Sequence, residues 1–279
     1  FLELDIMNKA KLNLLLNFHK DAYCVMHFAA LKSVPESEKN FDLYWKNNVE
    51  GTRSLLEAME SNGIKNIIFS SSAAIYGEQE LQPINEEAEA NPISNYALTK
   101  LESEKFIKDY ALNGIIDAIS LRYFNPVASH KDFLVIEEYT KSNNLMSVIL
   151  KAATKRIKTL KIYGNDYPTN DGTAERDFIH ISDLIEGHFS ALDKLENFKS
   201  YIEINLGTGV SISVLEMVET FKKVNKIDFQ VDFAARRKGD VSVNYAQVTK
   251  AREFLGWQSS HNLEKMCRDA WKAIQNEFK

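Results

Sequence analysis

Three apolar runs set at long intervals constrain this chain more than any other feature. AYCVMHFAA (22–30), IKNIIFSSS (64–72) and IIDAISLRYFNP (115–126) each have the length and texture of a buried strand. Between them lie NNVEGTRSLLEAMESNG (47–63) and NYALTKLESEKFIKDYALNG (95–114), helical stretches that each close on a glycine. Strands alternating with helices of this length predict an α/β fold, a mostly parallel sheet with helices on both faces. Past residue 127 the rhythm loosens. Turn-forming and aromatic residues gather in IYGNDYPTNDGTAERDFIHI (162–181), FAARRKGD (233–240) reads as a basic loop, and the chain closes on an amphipathic helix. The division expected is a sheet domain over 1–126 and a smaller lobe over 127–279, with some segments returning to the sheet.

Composition removes several function classes. The 279 residues carry a formal net charge of −5 and no basic stripe, which disfavours nucleic acid as a partner. The longest apolar run, YCVMHFAAL (23–31), is too short to span a bilayer, and no signal peptide opens the chain. Cys24 and Cys267 stand alone, without the spacing of a metal or redox motif, as free thiols do in a reducing compartment. No His, Cys and Asp cluster has metal-ligand spacing, and His180 in DFIHI reads as structural. A cytoplasmic, metal-free protein is expected.

SNYALTK (94–100) raises the chemical question. Tyr96 and Lys100 stand at i and i+4 on a helix that Ser94 or Asn95 can cap, so they share a face. Taken alone, this is either an ordinary helix start or a proton-transfer pair. An ammonium beside a phenol favours phenolate and makes tyrosine a usable acid or base. Ser70, Ser71 and Ser72 end the preceding strand, and ligands of an open parallel sheet gather at the carboxyl ends of its strands.

SSSAAIYG, YALTK and LRYFNP, in that order, resemble the extended short-chain dehydrogenase/reductase superfamily. HFAALKSVPES, NNVEGT, NNLM, IYGNDYPTNDGTAERDFIH, NLGTG and RRKGD narrow the resemblance to its UDP-glucose 4-epimerase family, over essentially the whole chain. The resemblance implies a Rossmann-type domain holding NAD, a UDP-hexose substrate, and interconversion of UDP-glucose and UDP-galactose by transient oxidation at C4. Tyr96 corresponds to the base and acid, Lys100 to its pKa-lowering partner, and Ser72 to the group bonding the 4-oxygen. For the cofactor it implies Asp5, Ile6, Phe28, Ala29, Ala30, Lys32, Asn47, Ser70 and Tyr123, together with Tyr96 and Lys100. For the substrate it implies Phe124 and Asn125 beside the sugar, and Asn144, Leu145, Tyr163, Arg176, Arg237 and Asp240 on UDP, with Lys32, Ser72 and Tyr96 shared. Read without the resemblance, each arginine is equally a solvated surface charge, and Asp240 could simply pair with Lys238.

Two departures refine the expectation. Dehydratases of the superfamily carry an Asp-Glu pair after the serine or threonine, whereas this chain has Ala73 and Ala74, which cannot transfer protons. The family's opening Gly-x-x-Gly-x-x-Gly turn, which binds the NAD pyrophosphate, has no counterpart, so Phe1 corresponds to the third strand. The chain therefore reads as part of a longer protein. By itself it is expected not to bind NAD normally, to expose an apolar sheet edge and to be unstable. A non-catalytic remnant that binds UDP-sugar is the alternative. The resemblance further implies a homodimer built by the helices around 47–63 and 95–114. It also places Asn244, or Tyr245 after a one-residue slip, at the gate beside the C2 group of the sugar. A small residue there admits 2-acetamido sugars.

Overall fold

A computed structural model describes residues 1–130, 139–237 and 239–277, with side chains as far as Gln275. In chain order the helices are α1 (Lys9–Phe18), α2 (Val34–Ser37), α3 (Phe41–Tyr44), α4 (Gly51–Asn62), α5 (Asn95–Leu112), α6 (Leu145–Ala153), α7 (Ile181–Leu195), α8 (Val214–Asn225) and α9 (Leu263–Glu277). The strands are β1 (Val25–His27), β2 (Asn66–Ser72), β3 (Asp117–Tyr123), β4 (Asn125–Val127), β5 (Thr159–Tyr163), β6 (Glu175–Arg176), β7 (Phe178–His180), β8 (Tyr201–Leu206), β9 (Ile212–Ser213), β10 (Gln230–Ala234) and β11 (Val243–Asn244).

The chain forms two compact units. The first comprises 1–77, 86–123 and 188–205; the second comprises 78–85, 124–187 and 206–279. The first unit holds the sheet β1-β2-β3-β8, in which β1 and β3 both run parallel to β2. Alternation along these strands sends Ile67, Phe69 and Ala118 to one face and Ile68 and Ile119 to the other, and all five are buried. The first face packs Leu12 and Leu16 of α1, Leu55, Leu56 and Met59 of α4, and Ile107 and Ala111 of α5. Both faces are therefore covered, and so each strand carries an apolar centre, Ile67 to Phe69 and Ala118, Ile119 and Leu121.

Helix boundaries follow local chemistry. Ser94, in extended conformation, caps α5 by accepting from the Ala97 amide at 3.2 Å. Gly63 ends α4 in the left-handed conformation, with φ of 70°. Between α3 and α4 the helix widens into a π-turn over Trp45–Glu50. Gly77, with φ of 62°, closes a short 3-10 turn (Ala73–Tyr76), and a Cβ there would lie 2.0 Å from the Asn91 carbonyl.

Residues 1–5, expected as a strand, carry no regular structure, because no described strand pairs with their backbone. α1 was not expected. Asn8 caps it by accepting from the Lys11 amide, and Leu12 and Leu16 supply its buried stripe. In the second unit α6, α8 and α9 pack Met146, Ile149, Met217, Phe221, Met266 and Ile274 over β5 and β7, which contribute Leu160, Ile162 and Phe178. Its strands are mostly short, joined as β10-β5, β11-β6-β9 and β4-β7. No helix among the described residues is long and apolar enough to cross a membrane.

Candidate active site

The carboxyl ends of β1, β2 and β3 place Phe28, Ser70 to Ser72, and Tyr123 on one rim of the first unit. α5 brings Tyr96 and Lys100 to the same rim. Its entry is fixed by α2, because the buried Ser37 hydroxyl accepts from the Tyr96 amide at 3.0 Å and Glu38 accepts from the Asn95 amide at 2.8 Å. A carboxylate at a helix N-terminus is favoured by the helix dipole. SVPES thus positions the backbone of Tyr96.

Ser72 accepts from the Ala74 amide at 3.2 Å, and its hydroxyl bonds the Tyr96 phenol. With one lone pair given to the amide, the serine proton is free to point at the phenol oxygen. The Lys100 ammonium donates to the Ser70 carbonyl at 2.6 Å and lies over the Phe69 ring at 4.8 Å. Burial pushes its pKa down to about 8, against the pull of Glu104 one turn along α5. The Tyr96 phenol is not lowered as the Tyr-x-x-x-Lys spacing suggests. Burial raises it, and Ser72 alone pulls it back, because the Lys100 ammonium is engaged by the Ser70 carbonyl. Tyr123 is raised by burial, lowered by a hydrogen bond with Ser70, and raised again by the nearby Tyr96.

Beneath the rim, the Arg122 guanidinium grips Glu104 with both arms, Nε to Oε1 at 3.1 Å and Nη2 to Oε2 at 2.8 Å. Its Nη1 donates to the Tyr76 hydroxyl, which donates to Asn205. Burial opposes the guanidinium charge, but Glu104 outweighs it and raises the pKa of Arg122.

Of the other residues expected at the cofactor, Phe28 is 56% exposed, Ala29 and Lys32 are exposed, and Ala30 is half-buried. Asp5 is exposed and accepts from the Met7 amide, while Ile6 packs on Gly51, where a Cβ would lie 2.5 Å from its Cδ1. Asn47 donates to Asn48, and Asn48 is the buried member of the pair. Asn48 accepts from the Leu31 amide, donates to the Leu31 carbonyl and bonds Thr99, clamping the segment after β1 to α5. Sequence reasoning passed over Asn48, Ser37 and His188. NNVEGT and HFAALKSVPES did contain Asn48 and Ser37, but residue type alone signals neither the π-turn around Asn48 nor the role of Ser37.

The residues expected on the substrate lie in the second unit. Arg237 stacks on Tyr163 at 3.8 Å from the ring centroid, and Arg236 stacks on Tyr167 at 4.1 Å while pairing with Asp166 at 2.8 Å. Burial lowers the pKa of Arg176, whose Nη1 donates to the Glu175 carbonyl, and the nearby Asp240 opposes that shift. Asn244 is buried and pairs in parallel register with Arg176. Asn144 caps α6 by accepting from the Ser147 amide at 2.8 Å, and Leu145 opens that helix. The Phe124 amide donates to the Leu206 carbonyl and the Asn125 amide to that of Asp177. A pairing of Asp240 with Lys238 lies outside the described residues.

A dinucleotide fits the first unit at its nicotinamide end. An exposed phenyl ring, a buried amine and four hydroxyls line one rim of parallel strand ends, where such ligands bind. The family model described as NAD dependent epimerase/dehydratase matches residues 1–207. The UDP-glucose 4-epimerase of Bacillus subtilis is 43% identical over 250 residues, 89% of this chain and 74% of its own length. The UDP-glucose-4-epimerase of Stenotrophomonas maltophila, solved with bound NAD and formylated UDP-arabinopyranose, superposes with a TM-score of 0.95. It is 37% identical, over 100% of this chain and 83% of that one. The UDP-Glc/GlcNAc 4-epimerase of Campylobacter jejuni superposes with a TM-score of 0.85 at 36% identity, over 99% of this chain and 84% of that one.

Proposed function

The chain belongs to the NAD dependent epimerase/dehydratase family, and from that premise we propose that it interconverts UDP-glucose and UDP-galactose. The observation that carries the reading is the convergence of Ser72, Tyr96 and Lys100 at the carboxyl ends of the sheet. NAD, when bound, supplies a hydride acceptor for C4 of the hexose. Lys100, Ser70, Tyr123 and Phe28 are the residues placed to hold its nicotinamide end. Tyr96 takes the proton of the 4-hydroxyl and returns it, within general acid–base reach. Ser72, its own oxygen held by the Ala74 amide, donates toward the reacting oxygen and keeps it aligned. Lys100 favours the phenolate form once its amine is drawn from the Ser70 carbonyl. Ala73 and Ala74 offer no acid for eliminating water, which disfavours a dehydratase.

In this reading the first unit is the NAD domain and the second carries the UDP-sugar residues. Asn144, Arg176 and Arg237 supply donors for diphosphate oxygens, for which a guanidinium fork is suited. Asn244, small and buried beside Arg176, supports acceptance of 2-acetamido sugars as well. A homodimer through α4 and α5 follows from the family resemblance alone. The free thiols Cys24 and Cys267 support a cytoplasmic setting.

The test is coupled detection of UDP-glucose formed from UDP-galactose. Absence of turnover in a folded, NAD-loaded sample sinks the proposal. Comparison of kcat/KM for plain and acetamido sugars in the wild type and in Asn244→Tyr tests the gate. A wild type blind to the acetamido sugar removes it.

A further inference from the structure

His188 belongs to α7 and came out of no motif, yet it lies against two residues of the candidate site. The Tyr123 hydroxyl and His188 Nε2 are 2.5 Å apart, and their rings meet edge-on at 5.3 Å. The Phe28 ring lies 5.1 Å from the same imidazole. His188 is buried at 6% exposure, whereas Phe28 is 56% exposed. One buried imidazole thus contacts both the aromatic side chain that follows β1 and the one that ends β3.

The hydrogen bonds have a direction. Tyr123 has one phenol proton and two neighbours, Ser70 and His188. A serine hydroxyl can donate into the phenol oxygen, and the bond with Ser70 lowers the phenol pKa, as donation into it does. The phenol proton then goes to His188 Nε2, which accepts only when the imidazole is neutral and carries its proton on Nδ1. The resulting chain runs from Ser70 through Tyr123 to His188. It leaves the Tyr123 ring one orientation, edge-on to the imidazole and beside Phe28.

We propose that His188 is a positioning residue that locks Tyr123 and Phe28 into a fixed aromatic wall for the nicotinamide end of the dinucleotide. The inference rests on the reading of the site given above. It adds the residue that makes the wall rigid. An unlocked tyrosine rotates away, so the cofactor binds more weakly and presents its reacting face less often. The sugar nucleotide, recognised elsewhere, is unaffected.

The variants His188→Gln and His188→Leu separate this role from simple packing. Glutamine places an acceptor oxygen near the position of Nε2, whereas leucine fills space without one. Loss of one neutral hydrogen bond weakens NAD about tenfold in the leucine variant, and the glutamine variant recovers most of it. In the leucine variant kcat falls while KM for the UDP-sugar stays. The second readout needs no cofactor. In the full chain labelled with 15N-histidine, the His188 Nε2 signal is that of an accepting nitrogen, and it shifts in Tyr123→Phe. Equal affinities for NAD in the two His188 variants overturn the proposal, as does an Nε2 signal indifferent to Tyr123→Phe. If the leucine variant does not melt cooperatively, His188→Asn, too short to reach the phenol, takes its place with the same expected weakening. A wild-type chain that takes up no NAD while its Nε2 signal still follows Tyr123 sinks the reading of the site, not the hydrogen bond. The two failures are therefore distinguishable.

Discussion

Two pairs of cations, one pair in each unit, are held in opposite ways. In the first, Arg122 is buried and gripped by Glu104 through two hydrogen bonds, and Lys100 one turn away from Glu104 is buried as well. In the second, Arg236 and Arg237 are exposed and sit over the rings of Tyr167 and Tyr163. A buried cation costs several kcal/mol unless it is fully paired, so its geometry is determined by the fold. An exposed guanidinium on an aromatic face gains on the order of 1 kcal/mol and keeps its remaining donors for a ligand. The first arrangement suits chemistry that needs fixed distances, and the second suits capture of an anion. The comparison says where substitutions should be severe and where they should be graded.

The largest effect is expected at Tyr96. Tyr96→Phe keeps the ring and removes the proton, so turnover should fall between about a hundredfold and ten-thousandfold, the scale of general acid–base catalysis. Binding of UDP should change little. A variant of near-normal rate breaks the assignment of chemistry to the first unit.

Next is the buried pair. Glu104→Gln leaves the Arg122 charge without its partner, at a cost of about 3–5 kcal/mol of stability. It also removes the carboxylate that holds the Lys100 amine up, so the lysine should titrate lower still. Chemical denaturation and melting in parallel with wild type measure the first effect. A loss no larger than that of an exposed pair would remove the contrast between the units.

These two residues show how unevenly the sequence could be read. The strands 66–72 and 117–123 were legible because burial on both faces gives each an apolar centre, Ile67 to Phe69 in one and Ala118, Ile119 and Leu121 in the other. Tyr96, Lys100 and Ser72 were legible because spacing on one helix and position at a strand end are local properties. The partnership of Tyr123 with His188 spans 65 residues and that of Asn48 with Thr99 spans 51, so no local pattern announces either. β6, β9 and β11 have two residues each, and long-range pairing rather than propensity makes them strands. The direction of the Tyr96 shift was misjudged for a related reason. Spacing reports that Lys100 can reach the phenol, while the backbone of Ser70 decides where its ammonium points.

A smaller effect separates the neighbouring arginines. Arg237→Ala should weaken UDP about ten- to a hundredfold, the worth of a charge-assisted hydrogen bond. Arg236→Ala should leave UDP affinity closer to wild type, because Asp166 already engages that guanidinium. Isothermal titration of UDP measures both. Equal losses would mean that the pairing with Asp166 does not decide which arginine meets the ligand.

The smallest effect tests what the units share. Each holds a histidine whose pKa burial lowers, His27 pushed down to about 3 and His180 to about 4. His27 bonds Thr52 at 2.9 Å, and since the Thr52 hydroxyl donates to the Asn48 carbonyl, His27 must be the donor. Lys100 adds to its shift by like-charge repulsion. His180 stacks on His261 at 4.3 Å, with Asp269 and Asp183 pulling the other way. Both folded values lie below the unfolded one, so the unfolded chain binds more protons as the pH drops below about 6.5. Stability present at neutral pH is therefore lost between about 6.5 and the folded values, on the order of 1–2 kcal/mol for each histidine by pH 5. Asp183, raised by burial but held low overall by its bonds from His261 and Ser260, adds to the loss only below about pH 5, where unfolded carboxylates begin to take protons, whereas Asp177, raised by burial, opposes it. The wild-type curve mixes these contributions, so the test is the difference in slope. Denaturation from pH 7 to 5 should be flatter in His27→Gln and in His180→Gln than in wild type, and flattest in the double variant. If only His27→Gln flattens it, the stack on His261 does not keep His180 neutral, and the likeness between the two units fails.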